Sequence, residues 1–157
     1  MHRYHVNMVD LQAGREEKLR EAIELFYFAY RAFTNGPDHI LEERGLGRVH
    51  HRILYFIGRN RRTSVNALLE ILGVSKQALH APLRQLVEER LVVMQADEQD
   101  RRFKRLSLAS EGKKLENRLT GAQMKLLNAV FTATGDRTQS AWKTVMREMA
   151  QRGDSQS

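Results

Sequence analysis

Arginine and lysine are the residues of this sequence whose number and placement could do chemistry, and that chemistry is the neutralisation of phosphate. Of the 26 cationic residues, 13 lie between residues 44 and 105, together with only 6 of the 19 acids. That window therefore carries the whole net charge of +7, and the rest of the chain is neutral. A merely solubilising surface would spread the excess, whereas a concentrated one is the footprint of a polyanion binder. Within the window Ser75, Lys76, Gln77, His80 and Arg84 fall along one short segment of helical spacing. A glutamine carboxamide can pair with adenine and a guanidinium with guanine in the major groove, so Gln77, His80 and Arg84 are candidates for base contact. Lys76, Ser75 and the helix-capping Ser64 are better suited to phosphate. Asp100 beside Arg101 and Arg102 reads as an orienting carboxylate with one or two cations. Arg59, Arg61, Arg62 and Lys104 suit the phosphate backbone.

Other chemistries find little support. The chain of 157 residues has no cysteine, which excludes a disulfide framework, a thiolate metal site and a cysteine nucleophile within it. There is no glycine-rich phosphate loop, no HExxH and no convincing Ser, His and acid set, so no enzyme activity and no cofactor are expected. His39, Glu42, Glu43, His50 and His51 could offer metal ligands. Adjacent histidines on a helix point about 100° apart, however, so no metal site is expected and the pair should split, one inward and one outward. No apolar run approaches the roughly 18 residues of a membrane span, and the first 14 residues lack the apolar segment of a signal peptide. A cytoplasmic protein of one domain's length, with no membrane partner, is the expectation.

The elements that must position these residues follow from periodicity. Residues 1–14 show none and read as a mobile arm. From Arg15 to Phe33 apolar positions recur at helical spacing, and Asn35, Gly36 and Pro37 should stop that helix. Its second half, LFYFAYRAF, is apolar nearly all round and needs cover on more than one side, for which a second copy of the chain is the economical answer. A helix over Gly47–Gly58 leads to a basic turn at Arg59–Arg62. Ser64 should cap a helix ending at Leu72, Gly73 should close it in the left-handed conformation, and Ser75 should cap the next, running to about Arg90. Leu79, Leu83 and Leu86 then face inward. Leu91–Gln95 and Phe103–Leu108 read as strands of a hairpin with a charged tip. Helical spacing returns from Ser110, breaks at Gly135 and Asp136, and ends near residue 151 before a polar tail at 152–157.

The order LeuLeuGluIleLeuGlyValSerLysGlnAlaLeu, LeuArgGlnLeuValGluGlu-X-LeuVal, AspArgArg, LeuSerLeu and a glycine before a helix resembles the MarR family of bacterial transcription regulators. The resemblance covers about Leu46–Leu115. It implies a mainly α fold with a small β-hairpin wing: a winged helix-turn-helix lobe at 47–109, flanked by dimerisation helices at 15–46 and 110–151. It further implies a homodimer on double-stranded, pseudo-palindromic operator DNA, most often acting as a repressor, with the wing arginine in the minor groove. Arg102 matches that arginine and Asp100 would hold it. Many members are released by small phenolic or aromatic carboxylate effectors, for which Tyr27, Arg31, His39, His50 and His51 are the candidates here. The sequence departs from the family at Arg90, where glycine is usual, at Ala109, where threonine is usual and Ser110 would substitute as cap, and at Pro82 inside the recognition helix.

Overall fold

In the computed structural model, which describes residues 8–155, the first helix is far longer than the periodicity suggests. Helix α1 (Met8–Glu42) begins inside the expected arm and runs through Asn35, Gly36 and Pro37; residues 1–7 of that arm lie outside the described residues. Pro37 has no N–H to donate to the carbonyl four residues back, which would normally break a helix. That carbonyl, Phe33 O, accepts instead from Gln123 Nε2 at 3.5 Å. A β-carbon on Gly36 would meet Ala122 at ordinary van der Waals distance, so the two breakers lie where a second helix supports them.

Helix α2 (Arg48–Arg59) is the hub of the lobe, burying Ile53, Leu54 and Ile57 together with both histidines, His50 and His51. Strand β1 (Thr63–Ser64), too short to show a period, leads into α3 (Val65–Leu72) and α4 (Lys76–Glu88). Ser64 Oγ accepts from the Ala67 N–H at 3.0 Å and Ser75 Oγ from that of Ala78 at 3.1 Å. Gly73, at φ 62°, closes α3 as expected. Strands β2 (Val92–Ala96) and β3 (Lys104–Leu108) form the wing, and β1 adds to its inner edge, giving an antiparallel sheet of order β1-β3-β2. Helices α5 (Ser110–Thr134) and α6 (Asp136–Asp154) complete the chain, and α6 extends three residues into the expected tail. The architecture is the mainly α winged helix-turn-helix lobe with flanking helices that the sequence implies.

The core is continuous across these elements: Leu41, Ile53, Leu54, Leu68, Leu79, Leu86, Leu91, Leu106, Leu115 and Leu119 are fully buried. Pro82 sits inside α4, which continues past it to Glu88. The next residue to break rank is Arg90, at φ 61°, a conformation that glycine adopts freely and a side chain opposes by about 1 kcal/mol. Arg90→Gly is expected to raise stability by about 0.5–1 kcal/mol, because relief of strain outweighs the added freedom of the unfolded chain; an unchanged or lower urea midpoint would count against strain at this turn. Helix α5 has Ala109 as its N-cap with no side-chain cap, so Ser110 does not substitute for the family threonine. The junction is fixed differently, by the Ala109 N–H donating to Leu91 O at 3.0 Å.

Candidate nucleic-acid interface

Two elements of the lobe, α4 and the wing, carry most of the exposed residues that the sequence reading assigns to DNA. On α4, Leu79, Leu83 and Leu86 are buried while Lys76, Gln77, His80 and Arg84 are exposed, the division expected from helical spacing. Arg84 Nε lies 3.4 Å from Glu88, one turn on, with both side chains about two-thirds exposed; an ion pair this open is worth little and yields readily to a base or phosphate. Ser64 and Ser75 spend an acceptor lone pair on their caps and keep the hydroxyl proton to donate.

The wing tip is organised by two aspartates. Asp100 accepts both Arg102 Nε (3.0 Å) and Nη2 (2.8 Å), and also the Arg102 backbone N–H (3.1 Å). These bonds, the guanidinium's first, hold the Asp100 carboxyl below its ordinary value of 3.8. The Arg102 side chain is nevertheless 86% exposed, so the pairing fixes its direction without hiding it. Asp97, which the sequence reading did not single out, accepts Arg105 Nε at 2.6 Å and the Gln99 N–H at 2.8 Å, and these bonds hold its carboxyl low as well. Its signal was present as a second aspartate three residues before Asp100. Arg101 and Lys104 are exposed on the same hairpin. Arg59, Arg61 and Arg62 are not brought to the tip; they lie at the other end of the sheet, around a cavity with Ser107, Leu108 and Lys113.

A different cavity of about 380 Å³ opens between α1, α2 and α5, lined among others by Tyr30, Phe33, His51, Arg52, Tyr55 and Met124. Of the five expected effector residues, only His51 lines it. Tyr27 and Arg31 stack on each other at 5.9 Å on the outside of α1, and His39 is exposed. His50 is a structural residue: its Nδ1 accepts the Gly47 N–H at 2.9 Å and its Nε2 meets Gln85 Oε1 at 2.9 Å, tying the start of α2 to α4. The expected split of the histidine pair fails because α2 is packed on both sides, and both rings are only 8% exposed. His51 Nε2 lies 3.2 Å from Thr120 Oγ1, whose hydroxyl donates to Glu116 at 2.8 Å. At the mouth, Asp38 takes both Arg48 Nε (3.1 Å) and Nη2 (2.8 Å).

Burial, and then the Arg52 charge, lower the His51 pKa below its ordinary 6.5, with Asp38 opposing. A base depressed in the folded state binds its proton more weakly there than in the unfolded chain. Its stabilising effect is therefore complete above about pH 6.5 and is lost as the pH falls through the lowered value. Thermal stability should decline on acidification from pH 7.5 to 5.5, well above the range where Asp38, Asp97 and Asp100 titrate. His51→Gln should flatten that slope; an equal slope in the variant would remove His51 as its source.

Comparison with known proteins places this geometry. The HTH-type transcriptional regulator PetP of Rhodobacter capsulatus is 38% identical over 134 residues, covering 85% of this chain and 81% of that protein. A family profile described as MarR family matches residues 44–102. The chain belongs to the MarR family. Like its relatives it is a DNA-binding transcriptional regulator. Among solved MarR-type structures, Staphylococcus aureus MarR in complex with salicylate and kanamycin superposes with a TM-score of 0.73 at 22% identity, over 92% of this chain and 98% of that one. The Staphylococcus aureus MepR–DNA complex gives 0.67 at 18% identity, over 82% and 96%. At these identities they establish the shared fold. The MarR profile spans α2 to the wing tip, the stretch that holds every residue expected from the sequence to contact DNA except Lys104. Among the described residues, no helix is long and apolar enough to cross a membrane.

Proposed function

We propose that this protein works as a homodimeric, sequence-specific repressor that seats α4 in the major groove and the wing arginine Arg102 in the flanking minor groove of a pseudo-palindromic operator. The observation that carries the reading is the tip geometry: a guanidinium held by two bonds to Asp100, a third fixing its backbone, and the charged end projecting into solvent. A narrow groove concentrates negative potential and favours such an inserted cation. Gln77, His80 and Arg84 would read base edges, while Lys76, Arg101 and Lys104, with Ser64 and Ser75, would position the phosphates.

Dimerisation is supported by an uncovered apolar groove of about 450 Å³ between α1, α5 and α6, with Phe26, Tyr30, Val130, Phe131, Trp142 and Met146 in its walls. Leu19, Ile23, Leu25, Phe28, Val145 and Met149 extend this apolar surface, each at least half exposed. Contiguous patches of this kind are rare on monomers, and a second copy would also supply the second half-site. The cavity beside His51 has the size and aromatic walls of a small-molecule site. Arg48 is already neutralised by Asp38, so Arg52, which has no carboxylate partner among the described residues, is the guanidinium that would meet an aromatic carboxylate effector. The MarR neighbour bound to salicylate is consistent with that class of ligand.

The deciding experiment is selection of duplexes from a randomised pool, followed by anisotropy titration of the winner and a scrambled duplex. A specific-to-non-specific ratio of about 10³ or more is expected. A ratio near one would favour an architectural, non-specific DNA-binding protein using the same basic face.

A further inference from the structure

The cations that the wing does not use are gathered elsewhere. Arg59, Arg61 and Arg62, from the turn after α2, and Lys113, from the first turns of α5, line one cavity of about 580 Å³. Among the described residues none of the four has a carboxylate partner within ion-pair distance. The single acid in the cavity wall, Glu116, already accepts the Thr120 hydroxyl at 2.8 Å. Ser107 and Asn117 add neutral hydrogen-bonding groups, and Leu108 supplies an apolar floor that leaves no room for a β-carbon at Gly58 without some give, the nearest Leu108 atom lying 3.0 Å from where it would stand. Arg62 is held at φ 54°, a left-handed backbone that a side-chain-bearing residue disfavours and that tends to persist where the site has a task.

We propose that this cavity is a binding site for a small, multiply charged phosphate anion of the polyphosphate class, separate from the DNA interface. Four unpaired cations on concave walls focus a positive potential, and one monovalent anion would leave most of it uncompensated. Two linked phosphates match the charge and present several oxygens to forked guanidinium donors. Position argues against the operator itself. Thr63 pairs with Leu106, so Arg62 lies beside the α5 end of β3, whereas the wing tip lies beyond Lys104. Four residue steps along the strand separate Lys104 from Leu108, about 13 Å at roughly 3.3 Å each. The cations also surround a hollow here, where a duplex would need a ridge.

Inorganic pyrophosphate is the probe, titrated calorimetrically into the full chain at two salt concentrations. One saturable site per chain is expected. Arg59→Gln/Arg62→Gln should weaken it about tenfold or more, as expected from the loss of two charge-assisted contacts, with unfolding midpoints confirming the fold. Arg101→Gln/Arg102→Gln should leave pyrophosphate binding intact while weakening the duplex, which separates this site from the DNA reading. Absence of saturable binding, or equal loss in both variants, would overturn the proposal by reducing the effect to diffuse charge. So would an Arg59→Gln/Arg62→Gln protein that holds pyrophosphate normally but loses duplex affinity, which would make the cluster a contact to flanking DNA.

Discussion

Gly112→Ala is expected to destabilise the protein by about 3 kcal/mol or more, enough to leave much of a marginally stable domain unfolded. A β-carbon at this position would lie 1.9 Å from Leu91 O and 2.9 Å from its carbonyl carbon. Both are backbone atoms, so no side-chain rotation can relieve the clash. Relief requires α5 to back away from the start of β2, which breaks the Ala109 N–H bond to Leu91 O and opens the fully buried contacts of Leu91 and Leu115. Chemical denaturation of the wild type and the variant measures the effect directly. A loss below about 1 kcal/mol would show that the junction flexes, contrary to the close packing of interiors. DNA binding should fall in proportion to the folded fraction, with the salt dependence of the remaining activity unchanged.

Arg102→Ala is expected to act in the opposite manner, leaving stability nearly untouched and weakening operator binding by roughly ten- to a hundredfold. The side chain contacts no core residue, and its partner Asp100 lies in the same tip, so the unbound fold has little to lose. In the proposed complex the variant would lack a cation at the groove floor and would leave the Asp100 carboxylate facing phosphate without its counter-ion. The log–log slope of affinity against salt should flatten by about one. Asp100→Asn separates the two contributions: it keeps the cation but loses its bidentate anchor, so the slope should hold while affinity drops less. Equal affinities for wild type and Arg102→Ala across several salt concentrations would place the wing outside the minor groove.

The parts of the molecule that could be read from the sequence are those governed by local rules. Ser64, Gly73 and Ser75 mark helix boundaries through their own backbone chemistry, and the period of Leu79, Leu83 and Leu86 fixes which side of α4 faces outward. Asp100 and Arg102 are two residues apart, close enough for their pairing to be anticipated. The readings that failed depend on groups distant in sequence. Pro37 is tolerated because Gln123, 86 positions later, reaches the orphaned carbonyl. His50 and His51 are both buried because Gln85 and Thr120 come to them from other helices. Tyr27 and Arg31, the effector candidates on α1, stack on each other outside the cavity beside His51, because helical spacing says which residues share a side of α1 but not what that side meets. The cavity residue Arg52 is one of the 13 cations of the basic window, and nothing in its local pattern sets it apart from the others.

The uninterrupted course of α1 has a mechanical corollary. At 35 residues and about 1.5 Å per residue it is a strut of roughly 52 Å, with an exposed apolar surface along its middle and Leu41 locked into the lobe near its C-terminal end. Had Pro37 hinged it, the reading head could swing freely beneath a fixed pairing region. Because Gln123 mends that joint, tilting one end must displace the other, and in the proposed homodimer the distance between the two reading heads would be set by how the two struts cross.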